Sequence, residues 1–119
     1  MILVMVHFDG EGRVASIESI GHAPKPFLME LFSRRANTYN AVCAALSVLE
    51  FTLAKAVDDL TDAVVDTLVE KGRFRLSVRK PGSRPEVLET LFSQFTIGLT
   101  LLEARHGDVL SIQHPSETP

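Results

Sequence analysis

Residues 40–59 read NAVCAALSVLEFTLAKAVDD. Val42, Leu46, Leu49, Leu53, Ala56 and, just beyond, Leu60 recur at three- and four-residue steps, an apolar stripe that suits one face of an α-helix. Asn40 is a good N-cap, because its side-chain oxygen can accept one of the amide hydrogens left unpaired in a first helical turn. The stretch therefore predicts a helix from Asn40 to about Asp59. Cys43, the single cysteine of the chain, lies one residue past Val42, roughly 100° around the helix from the start of the stripe. It is expected beside the core stripe, in the first turn, with Ser47 one turn further along on its own face. Spacing alone leaves two readings. Cys43 is a small buried residue, as free cysteines usually are, or it is a thiol activated by its position.

Upstream of this helix the pattern changes period. Ile2 to Phe8 is mostly apolar with several β-branched residues, and Asp9-Gly10-Glu11-Gly12 follows. A turn cluster between two extended runs signals a hairpin. The second strand is expected over Arg13 to Ile20. Gly21 to Tyr39 reads as a long connection in which Pro24 and Pro26 disfavour a helix. Within it FLMELF has the composition for one or two helical turns, and connections of this length often bind ligands or cover sites.

Downstream, Asp62 to Glu70 fits either a strand or an extension of the helix. Lys71-Gly72 marks a turn. Arg73 to Lys80 alternates, with Phe74, Leu76 and Val78 set against Arg73, Arg75, Ser77 and Arg79, as in a half-buried antiparallel strand. Pro81-Gly82 breaks it. Ser83-Arg84-Pro85-Glu86 fits a capping box, and a second helix runs to about His106 with Leu88, Leu91, Phe92, Phe95, Leu99 and Leu102 as its stripe. Gly107 ends it, and Val109 to Gln113 forms a last strand. The order β-β-α-β-β-α-β predicts an α+β two-layer sandwich, two helices on an antiparallel or mixed sheet. One domain is expected over residues 1–115, with a polar tail at 116–119.

Composition bounds the function. A chain of 119 residues is about one domain and buries enough surface to fold without a metal or disulfide. The net charge of -3 argues against direct nucleic-acid binding, which usually comes with a basic domain, although Arg34-Arg35 and the run from Arg73 to Arg84 are locally basic. His7, His22, His106 and His114 show no metal-ligand spacing, and no Gly-rich phosphate loop is present. No metal or cofactor is expected. No apolar run approaches the roughly 18 residues of a bilayer span, and MILVMVHF lacks the basic start of a signal peptide. A cytoplasmic protein with a free thiol is expected.

The chemistry centres on two phrases, Gly21-His22-Ala23 and Asn40-Ala41-Val42-Cys43-Ala44-Ala45-Leu46-Ser47. A thiolate, not a thiol, attacks a carbonyl, and a helix N-terminus or a nearby protonated histidine lowers the thiol pKa from about 8.5. Unpaired amides in a first turn would also stabilise an oxyanion. His22, at the end of a strand, and Cys43, at the start of a helix, form a plausible base and nucleophile.

These two phrases, in this order after a DG hairpin, resemble the signature of the ribosomal-processing cysteine proteases, the Prp family, along essentially the whole chain. The resemblance implies a cysteine endopeptidase that removes an N-terminal extension from large-subunit ribosomal protein twenty-seven. It implies Cys43 as nucleophile, His22 as general base, Ser47 as a residue orienting the thiol, and Gly21 and Asn40 as supporting positions. It also implies a homodimer, and a segment between His22 and Cys43 that covers the substrate peptide. Two features depart from the family pattern. Asn40 stands where the family has an acidic residue and cannot stabilise an imidazolium as a carboxylate does, which leaves another acid such as Glu50 to serve. The connection before Cys43 is also longer than in the family. These departures motivate an alternative, a non-catalytic protein of the same fold that binds a ribosomal protein or an assembly intermediate.

Overall fold

The computed structural model describes residues 1–21, 34–70 and 72–114. Among them, β1 (Ile2–Phe8) and β2 (Val14–Ile20) are followed by α1 (Arg34–Leu60), β3 (Val64–Glu70), β4 (Arg73–Lys80), α2 (Pro85–His106) and β5 (Leu110–Gln113). The expected α+β order is thus the observed one. The strands form a mixed sheet in the order β3-β4-β2-β1-β5. All neighbours are antiparallel except β1 and β5, which run parallel.

Strand alternation decides which face is covered. In β1, Ile2, Val4 and Val6 are fully buried, and their cross-strand neighbours Ile17 on β2 and Leu76 on β4 extend the same apolar layer. The helices lie on that layer. Leu88, Phe92, Phe95 and Leu99 supply the buried stripe of α2 as the sequence predicts. The opposite face is polar where β2 meets β4: Arg73 Nη2 lies 2.6 Å from Glu18 Oε2. Val64 to Glu70, ambiguous in sequence, is a strand paired with β4 along its length. The hydroxyl of Thr61 turns back to the Val57 carbonyl at 2.7 Å, closing α1 before β3 begins.

Four expectations change. First, α1 begins at Arg34, not at Asn40. Residues 34–39 hold no proline, so nothing prevents the helix from extending back over them. Only the part of the long connection at residues 22–33, FLMELF included, lies outside the described residues. Second, the buried stripe of α1 is Val42, Cys43, Leu46, Glu50, Leu53 and Val57, while Leu60 is exposed. Leu49 faces sideways, against α2. A Cβ on Gly98 of α2 would sit 2.8 Å from Leu49 Cδ2, so the glycine lets the two helices approach, and it is Glu50 that faces the sheet, bonded to Ser19. Third, Ser83 does not cap α2. Its amide and hydroxyl both bond to the Asp62 carboxylate, at 2.7 and 2.9 Å, and Arg84 takes the N-cap position without a side-chain cap. Fourth, hydropathy averaged over Tyr39–Leu60 is high enough for a membrane span by length and composition. Glu50 and Lys55 interrupt the apolar run but leave the average high, and the buried face of this segment, Val42, Leu46, Leu53 and Val57, belongs to the core.

Candidate active site

The end of β2 and the second turn of α1 meet through Gly21 and Tyr39. Gly21 closes β2 with φ 90°, a left-handed conformation that residues with a Cβ rarely adopt. Space enforces it as well: a Cβ there would lie 2.7 Å from the Met1 carbonyl oxygen. The Gly21 amide donates to the Gly72 carbonyl at 3.0 Å. The backbone leading into His22 is therefore held by its neighbours on both sides. His22 itself lies outside the described residues, as do the tail residues 115–119.

Cys43 is buried and belongs to the hydrophobic core cluster. Since α1 begins at Arg34, Cys43 is about two and a half turns inside the helix. The first-turn placement expected from an Asn40 cap does not hold, and neither do its consequences. Amides this far in are already paired within the helix, and the macrodipole acts within the first turn. Asn40 is exposed on the helix surface, and Ser47, one turn beyond Cys43, is half-buried.

Tyr39 lies one turn before Cys43 on α1, and its hydroxyl donates to the Gly21 carbonyl. Only with α1 extended back over Tyr39 do Tyr39 and Cys43 share a helical face, so a helix starting at Asn40 conceals that placement. Burial pushes the Cys43 thiol up from its ordinary range; the nearby Tyr39 phenol pulls it down, and the charge of Glu50 adds to the rise. Burial also pushes the Tyr39 phenol up, with Cys43 adding to it.

Below the thiol a second polar contact sits in the core. Ser19, on β2, and Glu50, two turns past Cys43, are both essentially inaccessible to solvent, and the serine hydroxyl bonds to the carboxyl group. Desolvation pushes Glu50 up to about 7, against the opposing effect of Ser19. A carboxyl group of this kind is half protonated near neutral pH.

Fold and site together define a small α+β protein with a helix-borne thiol set against a glycine-closed strand end. The family model described as cysteine protease Prp matches residues 1–111, and the chain belongs to that family. Comparison with curated proteins gives no match. Among solved structures, the chain is similar to the essential ribosomal processing protease Prp from S. aureus in complex with a substrate peptide. That likeness has a TM-score of 0.77 at 19% identity and covers 97% of this chain and 100% of that one. The same protease with a covalently linked product peptide superposes with a TM-score of 0.76, also at 19% identity, over 97% and 100% of the two chains. SMU.848 from Streptococcus mutans gives 0.72 at 22% identity, over 96% of each chain.

Proposed function

We propose that this chain is a cysteine endopeptidase that removes an N-terminal extension from large-subunit ribosomal protein twenty-seven, with Cys43 as nucleophile and His22 as general base. In this reading His22 takes the thiol proton as the sulfur attacks the scissile carbonyl. The tetrahedral intermediate collapses to a thioester, and His22 returns the proton to the departing amine. Water, activated by the same imidazole, then hydrolyses the thioester. The protein acts as a cytoplasmic homodimer and needs no cofactor.

The observation that carries this reading is the hydrogen bond from Tyr39 to the Gly21 carbonyl. It ties the residue before His22 to the helix turn before Cys43, so that two phrases far apart in sequence converge. The match of the family model over residues 1–111 supports the reaction class, and the peptide complexes of the S. aureus protease support a peptide ligand. Incubation with the source organism's ribosomal protein twenty-seven, followed by N-terminal sequencing, tests the reading. A shortened product supports it. Binding with the substrate left intact would favour the non-catalytic alternative, to which the exposed, uncharged Asn40 and the upward-shifted Cys43 thiol lend weight.

A further inference from the structure

Among the described residues β3 ends the sheet, with β4 on one side and no strand on the other. The opposite edge, β5, has four residues, whereas β3 has seven, VVDTLVE, with neither proline nor lysine to blunt it. An apolar edge of this length is a template for a further strand unless something covers it. Its two faces differ. Val65, Thr67 and Val69 stand opposite Val78, Leu76 and Phe74 of β4 and so share the face that carries the helices, while Asp66, Leu68 and Glu70 lie on the other. On the helix side α1 leaves the edge uncovered: Val69 is 56% and Phe51 53% exposed. Phe51 meets Phe74, the cross-strand neighbour of Val69, edge-to-face with ring centroids 6.5 Å apart. The core thus runs outward through Phe74 to an apolar strip at the sheet edge.

We propose that a second copy of this chain pairs here, β3 against β3 about a two-fold axis at Thr67, joining the two five-stranded sheets into one of ten strands. The sequence of β3 selects this occupant. A two-fold axis between neighbouring antiparallel strands stands perpendicular to the sheet, so both helix layers lie on one side and residues of the same face meet. Registers centred on Asp66 or on Leu68 set Asp66 directly against itself or against Glu70, and like charges so placed are destabilising. Centres nearer either end shorten the ladder. Centred on Thr67, the whole strand pairs without a like-charge contact. Threonine meets threonine, Val65 meets Val69 twice over on the helix side, and Asp66 and Glu70 meet Leu68 and Val64. The β-branched pairs fall where the apolar strip needs cover. This pairing gives the homodimer of the reading above its surface and rests on that part of the reading alone.

Sedimentation velocity of the full chain over a range of concentrations tests it, for the wild type, Thr67→Lys, Thr67→Glu and an equimolar mixture of the two variants. The wild type is expected to sediment as a dimer that dissociates on dilution. Each variant alone sets like charges against each other at the axis and is expected to raise the dimer dissociation constant at least roughly tenfold. The mixture sets opposite charges there and is expected to regain the dimer. A monomeric wild type, single variants that dimerise as the wild type does, or a mixture that stays monomeric overturns the proposal; the second of these leaves a homodimer standing on another surface. If the charged variants do not fold, Thr67→Cys decides. Directly opposed cysteines on paired strands lie within disulfide reach, so mild oxidation is expected to give covalent dimer far faster than in Ser93→Cys, at an exposed position of α2. Equal rates overturn the proposal. No readout requires peptide cleavage, so a protein that dimerises in this way but cuts nothing would fail the protease reading and leave this one standing.

Discussion

Ser19 on β2 donates its hydroxyl hydrogen to Glu50 on α1, two turns along the helix from Cys43, in a part of the core that solvent does not reach. Strand and helix are joined there by a polar contact within an apolar layer. Its energy depends on protonation, because an ionised carboxylate is far more costly to bury than a neutral, hydrogen-bonded one.

Glu50 makes stability fall as pH rises. Its folded value, about 7, lies above its unfolded one, so between those two values the folded state binds more protons than the unfolded state. The stabilisation is fully present below the unfolded value, near 4.3 for a free glutamate, and is lost as pH rises through about 7. Glu50→Gln should flatten this part of the profile and make the protein more stable than wild type above neutrality, by on the order of 3 kcal/mol. Urea melts at a series of pH values check it. Parallel profiles for the two proteins would refute the assignment.

Removing the hydroxyl alone should have the opposite sense. Ser19→Ala takes a hydrogen bond from a buried carboxyl group and should cost about 1–3 kcal/mol. It should also raise the pKa of Glu50 further, since the Ser19 bond holds it down. Chemical shifts of the labelled Glu50 carboxyl carbon followed across pH report both states.

Gly21→Ala tests the closure of β2. A Cβ meets the Met1 carbonyl oxygen at 2.7 Å in a backbone conformation with φ 90°. The substitution should destabilise by at least about 1–2 kcal/mol and, by moving the chain into His22, lower peptide cleavage more than denaturant melts alone explain. Wild-type stability in this variant would mean that the strand end relaxes freely.

Gly98→Val tests the helix–helix contact. The first added carbon falls 2.8 Å from Leu49 Cδ2, so the helices must part or Leu49 must move, at a cost of about 1–3 kcal/mol. Thermal melts measure it, and an unchanged midpoint would show that Leu49 has room to turn aside.

The architecture was legible because period and turn chemistry agreed along most of the chain. The hairpin of β1 and β2, the alternation of β4 and the stripe of α2 all carry their own signals. The start of α1 did not, because Asn40 has the chemistry of a cap and yet lies inside a helix that already runs. That one boundary concealed most of the local chemistry around Cys43. It placed Cys43 among first-turn amides that are in fact already paired, and it left Tyr39 in a loop instead of one turn before the thiol. Glu50 was legible as an acid on the helix, but not as the Ser19 partner, because the apolar stripe points to Leu49 and not to its neighbour at position 50 as the residue that faces the sheet. Ser83 misled for a similar reason: a capping pattern in sequence cannot show that Asp62, far upstream, claims the same residue.

The central claim is that Cys43 attacks the peptide bond. A single-turnover reaction with the N-terminal segment of ribosomal protein twenty-seven, quenched in acid and analysed by mass spectrometry, addresses it most directly. The account predicts a transient thioester between the released N-terminal fragment and Cys43 in the wild type, and neither adduct nor cleavage in Cys43→Ala. Cleavage that persists in Cys43→Ala would contradict it.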